Sequence, residues 1–283
     1  MVYFCADDYG ISATSNNRIE SCVKQGSLNK ISLLPNGEIG DFKEHLKNCK
    51  LTLHLNLVEG KPLSSPEDVD LLVTPDGSFK YSFVGLLFLS LSGKRKRLEA
   101  QLYNEIKKQI EFWQSCVGAD VPISIDSHQH VHMIPLVFKT LLRVIDEQGI
   151  KVDYLRIPAE PIMVYLQTPS LYAAYRPSGI AKHWLLYLLY LVNRKRLKAS
   201  KINYALFMGI MFSGIMTEDK IKKLLPRYKK LAQKQGRDIE LAFHPGYVEQ
   251  GEPMMTGCRK GFEKFYYSPN RVKEWETLIN LNF

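Results

Sequence analysis

The sequence lacks the marks of several protein classes. Its five cysteines lie far apart and include no C-x-x-C pair, a pattern typical of reduced thiols in a cytosolic protein rather than of a disulfide framework or a zinc knuckle. The amino terminus leads into an apolar strand without a basic region, a long apolar region or a cleavage site, so we expect a cytoplasmic protein. Internal repeats and low-complexity tracts are also lacking.

Apolar runs long enough to cross a membrane are lacking as well. Residues 183–192 are apolar on nearly every side and residues 204–216 are apolar again, but neither run approaches the ~20 residues that a membrane span needs. We therefore expect no transmembrane segment. Such runs are typical of buried helices or of the interface of a homo-oligomer, and the neighbouring basic residues 194–196 leave peripheral contact with a membrane open.

Negative charge is in deficit, with 29 Asp and Glu against 38 Lys and Arg and a formal net charge of +9. Most of the basic residues are spread over helix-like segments such as 219–234, where a solvated face accounts for them. Tight basic clusters occur only at 94–97 and 194–196. Because no nucleic-acid-binding motif accompanies this charge, we expect no nucleic-acid partner.

Apolar runs alternate with helical patterns along the chain, which predicts an α/β fold with a parallel sheet or barrel. Strands are expected at 2–6, 29–34, 51–57, 121–125, 152–157 and 238–243, and helices at 17–25, 41–48, 101–116, 136–148 and 217–235. We expect one domain over residues 1–283 with an apolar helical insertion around 158–216. The long loop 59–77 suggests a flap that faces the substrate.

Acidic and imidazole side chains lie on or directly after these apolar strands. They are Asp7 and Asp8, His54 with Asn56 on one strand face, Asp126 with His128, and His244. Because the carboxyl ends of parallel strands share one rim, these groups should meet. One carboxylate with two imidazoles makes a divalent metal site with open positions, which is the catalytic pattern. A spare carboxylate and a spare imidazole can transfer protons, so the set suits hydrolysis.

Three of the seven histidines fall at 128, 130 and 132, directly after the strand predicted at 121–125. In an extended segment, residues two apart project to the same side, so Asp126 and these imidazoles should converge. The alternative is a solvated polar turn. For the paired acids at 7 and 8, the alternative is a helix N-cap by Asp8 or Ser12.

The segments 6–10, 53–63, 126–132 and 244–246 resemble, in order, the motifs of the YdjC-like carbohydrate deacetylases, which include chitooligosaccharide deacetylase. The resemblance implies an irregular (β/α) barrel of the glycoside hydrolase/deacetylase type. It also implies metal-dependent removal of an acetyl group from a small N-acetylated saccharide. The sequence departs from the family at Gln129, where a His is common, and at 158–216, which match no motif.

Site residues follow from the resemblance at matching positions. It implies Asp8, His54 and His128 as ligands of one divalent metal ion, magnesium or zinc. Two imidazoles favour zinc or another transition ion. Asp7 resembles the base that activates water and His244 the general acid. The supporting or substrate-binding residues are Arg156, Asp126, His132 and Asn56.

Two other functions fit the same residues. One is a metal-dependent hydrolase of another ester or phosphoester, which the shared ligands and the basic surface suggest. The other is a sugar- or lipid-binding relative that has lost activity, against which the intact Asp7, Asp8 and His244 argue.

Overall fold

The computed structural model describes residues 1–258 and 261–281. The strands of this part of the chain are β1 (Val2–Tyr9), β2 (Lys30–Leu33), β3 (Lys50–Leu55), β4 (Ile123–Ser127), β5 (Val152–Leu155), β6 (Leu206–Met208) and β7 (Ile239–Phe243). The α-helices are α1 (Ala13–Lys24), α2 (Phe42–His45), α3 (Phe83–Ser90), α4 (Arg95–Val117), α5 (Pro135–Glu147), α6 (Ile162–Leu166), α7 (Pro177–Ser200), α8 (Glu218–Gln235), α9 (Glu263–Tyr266) and α10 (Pro269–Asn280). Two 3-10 segments cover His128–Met133 and Pro169–Ala174.

The strands form one parallel sheet in the order β5-β4-β3-β2-β1-β7-β6, which curves into a half-barrel with helices around it. The two ends of this sheet are tied together, because the amide of Leu155 donates to the carbonyl of Asn203 at 3.0 Å. The predicted irregular (β/α) barrel is therefore confirmed. Parallel strands place all their carboxyl ends on one rim, which is where the polar residues of the sequence motifs lie.

The segment 158–216, predicted as an apolar helical insertion, also contains a strand. Helices α6 and α7 lie there, but Leu206–Met208 form strand β6, which pairs in parallel with β7 at the edge of the sheet. Asn193 of α7 anchors this segment, because its side-chain amide donates to the Met133 carbonyl at 2.8 Å. The insertion is therefore built into the barrel rather than appended to it.

Charged side chains line the interior of the half-barrel. Glu240 of β7 lies 3.1 Å from the Lys30 ammonium of β2 and accepts from the Arg156 Nε at 2.8 Å. All three side chains are fully buried. The Lys30 ammonium also lies 3.7 Å from the centre of the Tyr154 ring, so each charge in the group is compensated.

We expect Glu240→Gln to lower the free energy of unfolding by about 3–5 kcal/mol, because breaking a buried pair leaves an uncompensated charge in the interior. Urea unfolding followed by circular dichroism measures the change. Asp219→Asn is the matched control, since its pair with Lys223 is at the surface and contributes about 0–1 kcal/mol. Equal losses in the two variants would contradict the interpretation.

Candidate active site

Asp7 and Asp8 both face a cavity at the carboxyl rim of the sheet. Neighbouring residues of a regular strand point to opposite faces. Here the register between β1 and β2 shifts between Ala6 and Tyr9, and Asp8 has a left-handed backbone with φ 68°. This irregularity turns two successive carboxylates towards one space. Ser12 accepts from the Ser15 amide and caps α1, so Asp8 is not the cap.

Asp8, His54 and His128 bring one ligand atom each into a cluster whose atoms lie within 4.8 Å of one another. Asp8 Oδ1 is 2.9 Å from His128 Nδ1 and 3.4 Å from His54 Nε2. Donors about 2.0–2.2 Å from one tetrahedral ion lie roughly 3.3–3.5 Å apart. The 3.4 Å spacing matches this range, and the 2.9 Å contact is a hydrogen bond that a shared ion would replace. The three sequence-predicted ligands are therefore brought together.

Two members of this cluster, His54 and Asp8, are also held by residues outside it. His54 Nδ1 lies 2.7 Å from Asp126 Oδ1, which directs Nε2 towards Asp8 and matches the carboxylate–histidine arrangement that orients metal ligands. The guanidinium of Arg271 on α10 donates to Asp8 Oδ2 and, at 2.9 Å, to the Gly246 carbonyl. Oδ1 of Asp8 thus faces the imidazoles while Oδ2 is engaged elsewhere.

The charges of the cluster are strongly coupled. Burial disfavours the charged imidazole, but the carboxylates of Asp126, Asp8 and Asp7 together outweigh burial and raise the pKa of His54 to about 10. Burial likewise opposes ionisation of Asp8, but His128 and Arg271 hold the pKa of this carboxyl well below its usual range. A metal ion at His54 Nε2 must displace a proton, so binding of the ion releases one.

A second group of donors, Cys5, Asp7 and Asp126, also clusters, but a guanidinium already occupies it. Arg156 lies 2.6 Å from Asp7 Oδ2 and 2.7 Å from Asp126 Oδ2. Burial opposes ionisation of Asp7, and the Arg156 charge overcomes it and lowers the pKa of this carboxyl far below its ordinary value. Asp7 is therefore an anion held in place by Arg156, and it lines the same cavity as Asp8.

His244 lies on the same cavity, directly after β7. Its amide donates to Glu274 Oε2 at 2.6 Å, and its Nδ1 lies 3.6 Å from the same oxygen. The ring packs edge-on against Phe265, with 5.7 Å between ring centres. Glu274 is fully buried on α10, and it holds the backbone of His244 beside the cavity.

The extended segment predicted through His132 is wrong, because β4 ends at Ser127 and the chain then turns. Gln129 and His130 have left-handed backbones with φ 51° and 58°. His130 still lines the cavity, and burial lowers its pKa well below the usual range. His132 turns away, with Nδ1 2.5 Å from the Ser127 hydroxyl and Nε2 2.8 Å from the Arg156 carbonyl.

His132 and Asn56 lie outside the lining of the cavity. Burial lowers the pKa of His132 to about 4, so this ring is neutral. It contacts the backbone carbonyl of Arg156 rather than the cavity. Asn56 accepts from the amides of Val58 and Glu59 at 3.1 Å each and shapes the turn after β3. None of the residues 59–77, predicted as a flap, lines the cavity.

The cavity has a volume of about 350 Å³ and combines a polar floor with an apolar wall. Its floor contains the acids and imidazoles described above. The wall comes from α3, α7, the segment after β6, and the region around α9. The wall residues are Phe83, Val84, Lys182, Leu185, Leu186, Ile210, Ser213, Phe262 and Phe265.

Sequence reasoning missed Arg271 and Glu274, which hold Asp8 and His244. Both are charged residues within the amphipathic helix α10 and carry no motif that separates them from solvent-exposed charges. Both are fully buried in the fold. The wall residues were missed for a different reason, since apolar residues on helices are usually core residues.

The fold and the site together define an α/β half-barrel protein with a candidate metal centre on the carboxyl rim of its sheet. The profile of the YdjC-like protein family matches residues 1–283. The chain therefore belongs to the YdjC-like family, which confirms the resemblance seen in its motifs.

Proteins named carbohydrate deacetylase are similar to this chain over most of its length. The one from Danio rerio is 27% identical over 302 residues, which cover 98% of this chain and 92% of the relative. The one from Mus musculus is 25% identical and covers 96% and 86%. The one from Clostridium beijerinckii is 31% identical over 160 residues, covering 55% of this chain and 60% of the relative.

A crystal structure with a similar fold comes from Enterococcus faecalis, of a protein provisionally described as a cellobiose-phosphate cleavage protein. It superimposes with a TM-score of 0.65 and 18% identity, and covers 99% of this chain and 90% of that chain. At this identity, the likeness shows the fold alone. Among the described residues, no helix is long and apolar enough to cross a membrane.

Proposed function

We propose that this protein is a metal-dependent deacetylase that hydrolyses the acetamide of a small N-acetylated saccharide. The observation that carries the proposal is the convergence of Asp8, His54 and His128 within 4.8 Å of one another, beside Asp7 and His244 on one cavity. Full-length relatives named carbohydrate deacetylase support the substrate class. The single domain and the cytoplasmic location stay predictions from the sequence.

The residues present fit one divalent ion. Asp8 Oδ1 and the two imidazole nitrogens would supply three donors, and all three side chains line the cavity that would admit water and substrate. An ion held there supplies Lewis acidity that polarises the acetyl carbonyl and acidifies water. Two nitrogen donors and one oxygen donor suit zinc or another transition ion better than magnesium, which prefers oxygen ligands.

Two side chains of the cavity suit the proton transfers of amide hydrolysis. Asp7 accepts a proton from the water that adds to the acetyl carbon, and Arg156 keeps this carboxylate ionised. His244 donates a proton to the sugar nitrogen as the carbon–nitrogen bond breaks, and Glu274 holds the backbone amide of His244. The products are acetate and a free amine. Each transfer of this kind contributes about 10²–10⁴-fold to the rate.

The test of the function is acetate release from N-acetylglucosamine oligomers by the purified protein. We expect no release after treatment with a chelator and restored release when zinc, magnesium or another divalent ion is added back. Phosphorylated sugars, assayed for phosphate in parallel, test the alternative of a phosphoester hydrolase. Ligand binding without any turnover under every divalent ion would instead indicate an inactive sugar-binding relative.

We expect Asp126→Asn to weaken metal binding by about 10–100-fold, which is the usual effect of removing an outer-sphere carboxylate from a metal-bound imidazole. The physical reason is the 2.7 Å contact with His54 Nδ1, which fixes the direction of Nε2. Isothermal titration with zinc measures the affinity. Asp153→Asn is the control, since this acid is exposed on β5 and pairs with Lys50. Unchanged affinity in Asp126→Asn would remove Asp126 from the site.

A further inference from the structure

Two helices that border the cavity expose apolar faces. On α3, Val84 and Phe88 are 51% and 68% exposed, and Leu91 directly after the helix is 73% exposed. Their spacing of four and three residues places them on one side. Val84 also lines the cavity, so this exposed face begins at the cavity itself.

Helix α7 repeats the pattern over a longer distance. Its buried face is formed by Gly179, His183, Leu186, Leu189, Asn193 and Leu197. The opposite face exposes Ile180, Trp184, Leu188, Leu191 and Val192. At a rise of about 1.5 Å per residue, this stripe is roughly 18 Å long. We call the exposed apolar residues of α3 and α7, together with Leu91, the apolar face. Both helices also contribute residues to the cavity wall, Val84 from α3 and Leu185 from α7.

A basic cluster follows each half of the apolar face. Residues 94–97 come directly after the α3 half and are all exposed. Arg194, Lys195 and Arg196 end the α7 stripe, are exposed, and have no carboxylate within 4.0 Å among the residues that the structure describes. At roughly 100° per residue, the helix turns by about 1,100° from Trp184 to Lys195, which is close to a whole number of turns. Lys195 therefore lies on the same side of α7 as Trp184.

We propose that the apolar face docks the mouth of the cavity onto an anionic lipid bilayer, so that the protein takes a saccharide attached to a lipid. Exposed Leu and Phe enter the boundary of the bilayer, Trp184 suits its polar edge, and the basic clusters contact anionic headgroups. The apolar cavity wall then accommodates the proximal part of the lipid. The docking does not depend on the proposed deacetylase function. The inference that the substrate is a saccharide attached to a lipid rests on that function.

Charge complementarity favours a bilayer over a second copy of the chain as the occupant. Two copies joined through this face would bring together surfaces of the same sign, on a protein of net charge +9. Charged residues are depleted from the cores of protein interfaces, whereas each basic residue near an anionic bilayer strengthens binding. None of the described helices can cross the membrane, so the contact is with its surface.

Vesicle sedimentation tests the docking without any turnover. We expect the protein to bind vesicles of phosphatidylcholine with phosphatidylglycerol more tightly than vesicles of phosphatidylcholine alone. Changing Arg194, Lys195 and Arg196 together to Glu should weaken binding to the anionic vesicles by about a hundredfold or more. The charge-matched control changes Lys24, Lys43 and Lys47 to Glu. These lysines are exposed on and after α1 and α2, beside β2 and β3, whereas α7 connects β5 to β6.

The apolar contribution has its own variant. Trp184→Ser with Leu188→Ser changes two residues outside the cavity lining and should weaken binding to anionic vesicles by about tenfold or more. The proposal is wrong if the wild-type protein binds neither kind of vesicle, or if this double variant binds anionic vesicles as tightly as the wild type does. It is also overturned if ultracentrifugation shows a dimeric wild type and a monomeric double variant, and the wild type does not bind vesicles.

Turnover of two probes distinguishes a failure of the docking proposal from a failure of the proposed function. Dodecyl N-acetylglucosaminide in anionic vesicles and the methyl glycoside in solution serve as probes. We expect the double variant to lose about tenfold in kcat/KM on the dodecyl glycoside and to match the wild type on the methyl glycoside. Equal turnover of the vesicle-bound probe by both proteins would contradict delivery from the bilayer. Vesicle binding without turnover of either probe would overturn the deacetylase function and leave the docking intact.

Discussion

Asp8→Ala is expected to abolish both the binding of a divalent ion and the release of acetate. Removing the only carboxylate of the three donors leaves two imidazoles, and it also deprives Arg271 of its buried partner. His128→Ala should have the same effect, because its Nδ1 lies 2.9 Å from Asp8 Oδ1. The loss of affinity should exceed the about 10–100-fold that removal of an outer-sphere partner causes.

Isothermal titration with zinc and an acetate assay measure the two losses in parallel. His45→Ala is the control for Asp8→Ala and His128→Ala, since this histidine is exposed on α2, far from the cavity lining. Thermal unfolding checks that each variant folds. Stoichiometric zinc binding by a folded Asp8→Ala or His128→Ala protein would remove that residue from the metal centre.

Asp7→Asn is expected to slow the release of acetate while leaving the affinity for the metal ion nearly unchanged. The amide keeps the size of the side chain but cannot accept a proton at neutral pH, so kcat should fall by about 10²–10⁴-fold. The affinity for the metal ion should stay within about threefold of the wild type, because Asp7 is held by Arg156 rather than by the Asp8 cluster.

Acetate release at saturating metal and substrate measures kcat for Asp7→Asn, and titration measures the metal affinity. Ser213→Ala is the control, since Ser213 lines the same cavity and has no role in the proposed proton transfers. If Asp7→Asn released acetate at the wild-type rate, the base would have to be another group. Loss of metal affinity in this variant would place Asp7 within the metal centre instead.

The sequence predicted the six longer strands because their apolar runs end in polar or turn residues, as in 238–243 before His244. The shared rim of a parallel sheet then implied that distant motifs meet. Strand β6 escaped prediction because its three residues lie within the apolar run 204–216, where helix and strand periodicities cannot be separated.

The details of the site depend on contacts that a single sequence does not encode locally. Gln129 does not favour the left-handed backbone that it shares with His130, so the turn after β4 carried little signal. Arg271 resembles a solvated helix charge until the fold buries it against Asp8. Its burial follows from the packing of α10 on α1, which is a tertiary contact.

The tie between Arg271 and Asp8 joins helix α10 to strand β1, and the two residues are 263 positions apart along the chain. Glu274, which accepts from the amide of His244, lies on the same helix as Arg271. A nascent polypeptide that ends before α10 therefore lacks both supports, although strands β1 to β7 are complete. The candidate site is complete only after α10 has been synthesised, so a chain truncated before α10 should release no acetate.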